Sequence, residues 1–399
     1  MVFKNVYIPY GCYWSTPFCR WQGSFANQHS IRFAAETTTK FLQEKKIPLT
    51  DFDGLILGTT VPQLSSFYAA PWLAGMIGAS ITGPMIGQAC ATSAKVVEVA
   101  SACVESNINK MMLTVCADRC SNGPALVYPN SEKPGATQDV EAWVWDNFSH
   151  DPFAKNAMID TAENVAKEAG ISKEMQDEIT LIRYQQYTKA LANDRAFQKK
   201  YMLPVELKDK RGKVLATVNG DEGVFPTTKE GLAKLKPVKP EGTVSFGTQT
   251  YPGDGNTGII VCSKELAAKY SKNENIEIQV LSYGEAKVAK GFMAKAIVPA
   301  ADKALQMAGI TIKDVAAIKT HTPFAVNDVY FCKHYGLAYD QMNNYGTSLI
   351  YGHPQGPTGQ RLMCELFEEV VEKGGGYGLF DGCAAGDTGA ALVFKITVK

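Results

Sequence analysis

The chain predicts a layered α/β fold, and three observations carry that prediction. In the first 120 residues short apolar runs alternate with helical patterns, and residues 251 to 399 repeat the alternation. The stretch between them, 121 to 250, has a different character, with Pro, Asn, Gly and aromatic residues gathered around Trp143 and Trp145. Strands alternating with helices cover a sheet on its faces, which is the layered arrangement. Two similar halves with an insertion follow, divided as 1–120, 121–250 and 251–399.

The elements are justified in chain order. Val6-Tyr7-Ile8, Leu55-Ile56-Leu57 and Met111-Met112-Leu113-Thr114-Val115 are apolar runs of strand length. Between them, Ser30 to Lys45, Ala69 to Ile77 and Ala91 to Asn107 place apolar residues at helical spacing. In the insertion, Thr161 to Glu168 begins with a threonine and an acidic first turn, the signature of a helix start, and Lys173 to Ala192 reads as a second helix. The last third gives strands at 258–262, 276–281, 316–319 and 391–394, with helices at Pro299 to Ala308 and an amphipathic Gln360 to Glu372.

Composition excludes several function classes. Forty basic and forty acidic residues give a formal net charge of zero without a long run of either sign, so nothing points to nucleic acid. No stretch approaches the ~20 apolar residues that span a bilayer, and the N-terminus lacks a basic segment followed by an apolar core, so a cytoplasmic protein without membrane contact is expected. The ten cysteines form no CxxC pair and the five histidines no HExxH, so neither a disulfide framework nor a metal site is expected.

Three segments carry chemistry. Gly87-Gln88-Ala89-Cys90-Ala91-Thr92-Ser93-Ala94 sets a cysteine between a turn and an apolar helical run, where a helix N-terminus favours a thiolate. The alternative is a buried structural cysteine. Tyr351-Gly352-His353-Pro354-Gln355-Gly356-Pro357-Thr358-Gly359 fixes a histidine in a Gly/Pro turn ahead of a helix. Asp381-Gly382-Cys383-Ala384-Ala385-Gly386 puts another cysteine in a small-residue loop, which lets a ligand approach the backbone. In this order the three segments closely resemble those of the thiolase family. Thr161-Ala162-Glu163-Asn164-Val165-Ala166 and Gly242 to Thr250, leading to Asp254-Gly255, resemble thiolase loop-domain segments, so the resemblance spans nearly the whole chain.

The resemblance implies a thiolase fold of two similar βαβαβαββ halves in a five-layered αβαβα core, with the insertion as a loop domain over a coenzyme A site. It implies thiolytic cleavage of a 3-oxoacyl-CoA, or the reverse Claisen condensation, with coenzyme A as substrate and no permanently bound cofactor. Cys90 would accept the acyl group, His353 would be its base, and Cys383 the second acid/base. The backbone N–H groups of Cys90 and Ala385 would receive the tetrahedral oxyanion. His321, in His321-Thr322-Pro323-Phe324-Ala325, stands where most thiolases have an asparagine that holds a water, and would donate directly to the thioester oxygen. Met158, Thr250, Met293 and Phe324 match coenzyme A- and acyl-contacting positions.

Departures from the family pattern are Ala157, where a histidine often precedes Met158, and Val224, where an arginine often flanks the adenine. They favour an unusual substrate, aromatic or dicarboxylic, such as benzoylsuccinyl-CoA, with Lys295 as a carboxylate partner. A homodimer or larger is expected, with Lys110 to Val115 at the pairing edge. A small zinc-ribbon/OB-fold partner protein is known for some divergent thiolases. Two other readings stay open: a non-catalytic acyl-CoA-binding scaffold, against which the two cysteines and His353 count, and a ketoacyl-synthase-like condensing enzyme, which would lack Cys383.

Overall fold

The computed structural model describes all 399 residues. Its main sheet runs, edge to edge, through Val315–His321, Gly376–Ala384, Thr388–Val398, Ile276–Lys287, Tyr7–Ile8, Gly253–Cys262, Met111–Arg119, Gly54–Gly58 and Met85–Ile86. Tyr7 is the seam: it pairs with Cys262 on one side and Gln279 on the other, joining two half-sheets. Gly253–Cys262 runs antiparallel beside Met111–Arg119 along its whole length.

Helices fill three layers around these half-sheets. Thr92–Glu105 and Pro357–Glu372 touch each other and strands of both half-sheets, forming the middle layer. Ser30–Lys45 and Ala69–Ile77 cover the first half-sheet on its other face, and Ile297–Ala308 covers the second, with Ala325–Tyr335 beside it. This is the five-layered αβαβα arrangement. The expected amphipathic helix at 360–372 exists, and its polar face is buried as well as its apolar one, every residue from Pro357 to Val370 being covered. A helix sandwiched between sheets has no solvent face. Pro357 opens it without cost because a first-turn N–H has no intrahelical partner to lose.

One expectation is corrected here. Lys110 to Val115 is not a sheet edge: Met111–Arg119 lies between Gly253–Cys262 and Gly54–Gly58, and Met111 to Asp118 are all buried. An unbroken apolar run is the mark of a strand covered on both faces and paired on both sides. The edge on this side of the sheet is the two-residue strand Met85–Ile86, and Val315–His321 is the edge on the other. Val315–His321 and Gly376–Ala384 pair in parallel, and the chain between them crosses over through Ala325–Tyr335 and Pro357–Glu372. No helix is long and apolar enough to cross a membrane.

Candidate active site

The chemistry-bearing segments converge where strand ends and helix starts meet. After Met85–Ile86 the chain turns through Gln88 and Ala89, the latter at φ 42°, and presents Cys90 two residues before helix Thr92–Glu105. Thr92 braces this turn, its hydroxyl accepting from the Gln88 N–H at 2.8 Å and donating to the Ala89 carbonyl at 2.7 Å. His353 arrives from the other half. Gly352 precedes it at φ 87°, in a place where a Cβ would meet the Tyr251 ring at 2.7 Å, so only glycine fits. The His353 backbone is held by the Tyr251 carbonyl at 2.9 Å and the Gly253 N–H at 3.2 Å.

Cys90 Sγ lies 3.2 Å from His353 Nε2 and 3.3 Å from Gln355 Oε1, and His353 Nδ1 meets the Thr358 hydroxyl at 2.6 Å. His321 ends its strand beside Gly382, and its ring lies 4.1 Å from that of His353, tilted by 31°. Its Nδ1 is 2.8 Å from the Ser348 hydroxyl, while its Nε2 is buried without any partner. Cys383 is fully buried, and its sulfur accepts from the Asn327 amide at 3.2 Å. Ala385 follows in the hairpin to Thr388–Val398, its N–H facing the Cys90 sulfur closely enough to favour the thiolate. The Asp387 carboxylate fixes that hairpin by accepting from the Gly291 and Phe292 N–H groups at 2.9 and 3.0 Å.

Electrostatics overturns one expectation. Burial pushes the Cys90 thiol up to about 12, outweighing the Ala385 and Cys90 N–H groups that favour the thiolate. Desolvation wins over the helix terminus because it acts on the full charge, whereas the terminus supplies a fraction of one. Burial also lowers His353 well below the usual imidazole range, His321 to about 3, and raises the Cys383 thiol. Each of these shifts favours the neutral form at rest. The donor atoms of Cys90, His321 and His353 lie within 4.8 Å of one another, so the fold gathers a sulfur-and-imidazole set that the sequence spacing does not show.

A cavity of about 650 Å³ abuts this cluster, walled by Ala89, Gln355 and Ala385 on the reactive side and by Trp143, Phe148 and Phe153 opposite. Met158 lines it, at the first position of helix Met158–Ala169, and Lys287 stands at its wall. Phe324 and Met293 lie instead in the main core, at 7% and 3% exposure. Thr250 donates its hydroxyl to the Ser348 carbonyl at 2.5 Å and its N–H to the Pro323 carbonyl at 2.8 Å. Lys295 is not at the cavity; it pairs with Glu168 at 2.9 Å. Asn327, Ser348, Thr358 and Gln355 were not singled out from the sequence, although the last two sit in the same Gly/Pro turn as His353.

A layered α/β enzyme with a thiol against an imidazole and backbone donors aimed at the sulfur is an acyltransferase of the thioester-forming kind. The description "Thiolase, N-terminal domain" matches residues 14–265 and "Thiolase, C-terminal domain" residues 275–396. The chain belongs to the thiolase family. The mouse mitochondrial 3-ketoacyl-CoA thiolase is 30% identical over 397 residues, 96% of each chain. A β-ketoadipyl-CoA thiolase of Acinetobacter baylyi is 27% identical over 318 residues, 78% of each. The crystal structure of human mitochondrial 3-ketoacyl-CoA thiolase, 25% identical, superposes with a TM-score of 0.89 over all of both chains, and its complex with CoA, also 25% identical, with 0.88 over 99% of this chain and 98% of that one.

Proposed function

We propose that this thiolase-type acyltransferase cleaves a 3-oxoacyl-CoA with coenzyme A, reversibly, through an S-acyl-Cys90 intermediate. The observation that carries the reading is the 3.2 Å approach of Cys90 Sγ to His353 Nε2. His353 takes the thiol proton as sulfur attacks the 3-oxo carbon, with Thr358 receiving its Nδ1–H. The Cys90 and Ala385 N–H groups hold the oxyanion. When the carbon–carbon bond breaks, its electron pair enters the enolate of the departing thioester, whose oxygen takes a hydrogen bond from His321 Nε2 and whose carbon takes the proton of Cys383. Incoming coenzyme A returns a proton to Cys383, attacks the acyl carbon and releases the Cys90 sulfur, to which His353 gives back its proton. Neutral resting groups suit this cycle, because charge develops only along the reaction.

Coenzyme A is read as entering beneath the 121–250 segment, with Met158 and Thr250 along the pantetheine and Met293 and Phe324, buried in the core, behind them. That the human relative forms a complex with CoA supports coenzyme A as the ligand. Val224 offers no guanidinium to the adenine. The acyl group is read as aromatic or dicarboxylic, benzoylsuccinyl-CoA being one such substrate. Three aromatic walls and Lys287 support it, as does a relative named for a β-ketoadipyl group, itself a dicarboxylic acyl. A homodimer is part of the same proposal.

Incubation with a 3-oxoacyl-CoA in the absence of free coenzyme A should add one acyl mass to the peptide bearing Cys90, and Cys90→Ser should abolish it. His353→Ala should slow acylation ~100-fold or more, the usual contribution of a general base. Cys383→Ala should still accept an acyl group but fail to exchange the α-protons of acetyl-CoA with deuterium oxide. An acyl group trapped on Cys383, with Cys90→Ser still active, overturns the assignment.

A further inference from the structure

We infer that the Ser348 hydroxyl locks His321 in the tautomer that carries its proton on Nε2, making Ser348 a positioning residue for the carbon–carbon bond step. The inference rests on the reading of His321 as the donor to the enolate oxygen, and it adds what makes that ring a donor at all. A neutral imidazole donates from one nitrogen only, so the role of His321 depends on which nitrogen holds the proton.

The hydrogen-bond inventory decides between the two tautomers. Ser348 is fully buried, and its oxygen accepts from the Thr322 N–H at 3.2 Å. The only acceptor within reach of its own hydrogen is His321 Nδ1, at 2.8 Å. With the proton on Nε2, Ser348 donates to Nδ1, and a single group is left unpaired: the Nε2–H, buried and without a protein partner. With the proton on Nδ1, the Ser348 oxygen must accept twice, its hydrogen is stranded in the interior, and the Nε2 lone pair is stranded as well. Buried polar groups are nearly always paired, so the arrangement with one orphan prevails over the one with two. That remaining orphan is a donor beside the His353 ring and the Cys90 thiol, where a thioester oxygen would complete it.

The serine is itself held in place. Its carbonyl receives the Thr250 hydroxyl at 2.5 Å, and Thr250 also donates its N–H to Pro323, next to the Thr322 that bonds the serine oxygen. Strand end, serine and Thr250 therefore form one closed set around the His321 ring. Burial keeps the ring neutral, with its proton affinity lowered to about 3, so a doubly protonated ring does not compete with either tautomer.

Nitrogen-15 NMR of histidine-labelled enzyme tests this directly, with His321 assigned by its loss in His321→Asn. Nδ1 should give a pyridine-like resonance and Nε2 a pyrrole-like one; a pyrrole-like Nδ1 in the unaltered enzyme overturns the proposal whatever the kinetics show. Ser348→Ala should move both resonances toward the mixed values of an unbiased ring. In deuterium oxide it should slow exchange of acetyl-CoA α-protons by ~10-fold or more, a fraction of what a lost preorganised donor costs, with a much smaller change in acylation of Cys90 by a simple thioester. Ser348→Thr, which keeps the hydroxyl, should restore both the resonances and the exchange. Equal loss in the two half-reactions refutes the positioning role. If His321→Ala leaves exchange intact while the tautomer is as stated, the reading of His321 as donor fails and not the lock.

Discussion

Cys90 shows how far a local sequence argument reaches. Its place before a helix argues for an ionised sulfur, yet the folded site surrounds the thiol and pushes it up to about 12. The sign of the consequence is fixed: a thiol raised above its ordinary value is ionised less, and below that value the thiolate fraction grows tenfold with each pH unit. Alkylation of ligand-free enzyme by iodoacetamide, followed by mass spectrometry on the Cys90 peptide, should therefore climb steadily between pH 7 and 10. A plateau below pH 8 would reveal a preformed thiolate–imidazolium pair and sink this account. Cys90 and His353 were legible because each sits in a short turn whose pattern survives without tertiary information, and Cys383 because small residues surround it, although it ends up in strand Gly376–Ala384 and not in the loop the sequence suggests. Ser348 and Asn327 were not. Each acts on a residue distant in sequence, Ser348 on His321 and Asn327 on Cys383, and neither lies in a recognisable motif.

At the scale of elements, helix Pro357–Glu372 joins the insertion to the middle layer. Its Arg361 is buried and grips both oxygens of Asp221, at 2.6 and 2.8 Å, while its Nε donates to Glu365 at 3.1 Å. The guanidinium also lies 3.6 Å over the Tyr351 ring. Removing the cation would leave two buried carboxylates without their partner. Arg361→Ala should cost about 3–5 kcal/mol in denaturant unfolding, and Arg361→Lys should rescue little, because an ammonium cannot match the bidentate fork. Limited proteolysis should then cut first within residues 121–250; a variant as stable and as resistant as the original would show that the ion pair contributes nothing. The same scale separates what periodicity can show from what it cannot. Ser30–Lys45 and Ala69–Ile77 match the sequence reading at both ends, since one face is buried and the other is wet. Ala325–Tyr335 was missed because polar Asn327 and Asp328 are buried on it and blur the apolar stripe. Gly376–Ala384 was missed because its glycines mask a strand that is buried along most of its length.

For the whole molecule, the Met85–Ile86 edge of the sheet is the one that adjoins the cavity. Met85, on that edge, is 40% exposed, and the loop that shares the cavity wall with it carries Leu64 at 86%, Phe67 at 84% and Tyr68 at 67%. An isolated exposed leucine needs no explanation, but a cluster of large apolar side chains beside an unpaired strand does. Leaving both open invites uncontrolled association, and a second copy meeting the same edge about a two-fold axis would close it. Because Thr59, Thr60, Pro62, Ser66 and Met85 also line the cavity, such a partner would bear on the loop that shapes it. Sedimentation at micromolar concentration should thus show a dimer or larger. Phe67→Asp combined with Met85→Asp should shift it toward monomer, because each charge would have to be desolvated in the interface. The monomeric variant should lose activity toward bulky 3-oxoacyl-CoAs more than its acylation by acetyl-CoA. A stable monomer in the unaltered protein would refute the dimer, and an unchanged assembly in the double variant would place the interface elsewhere.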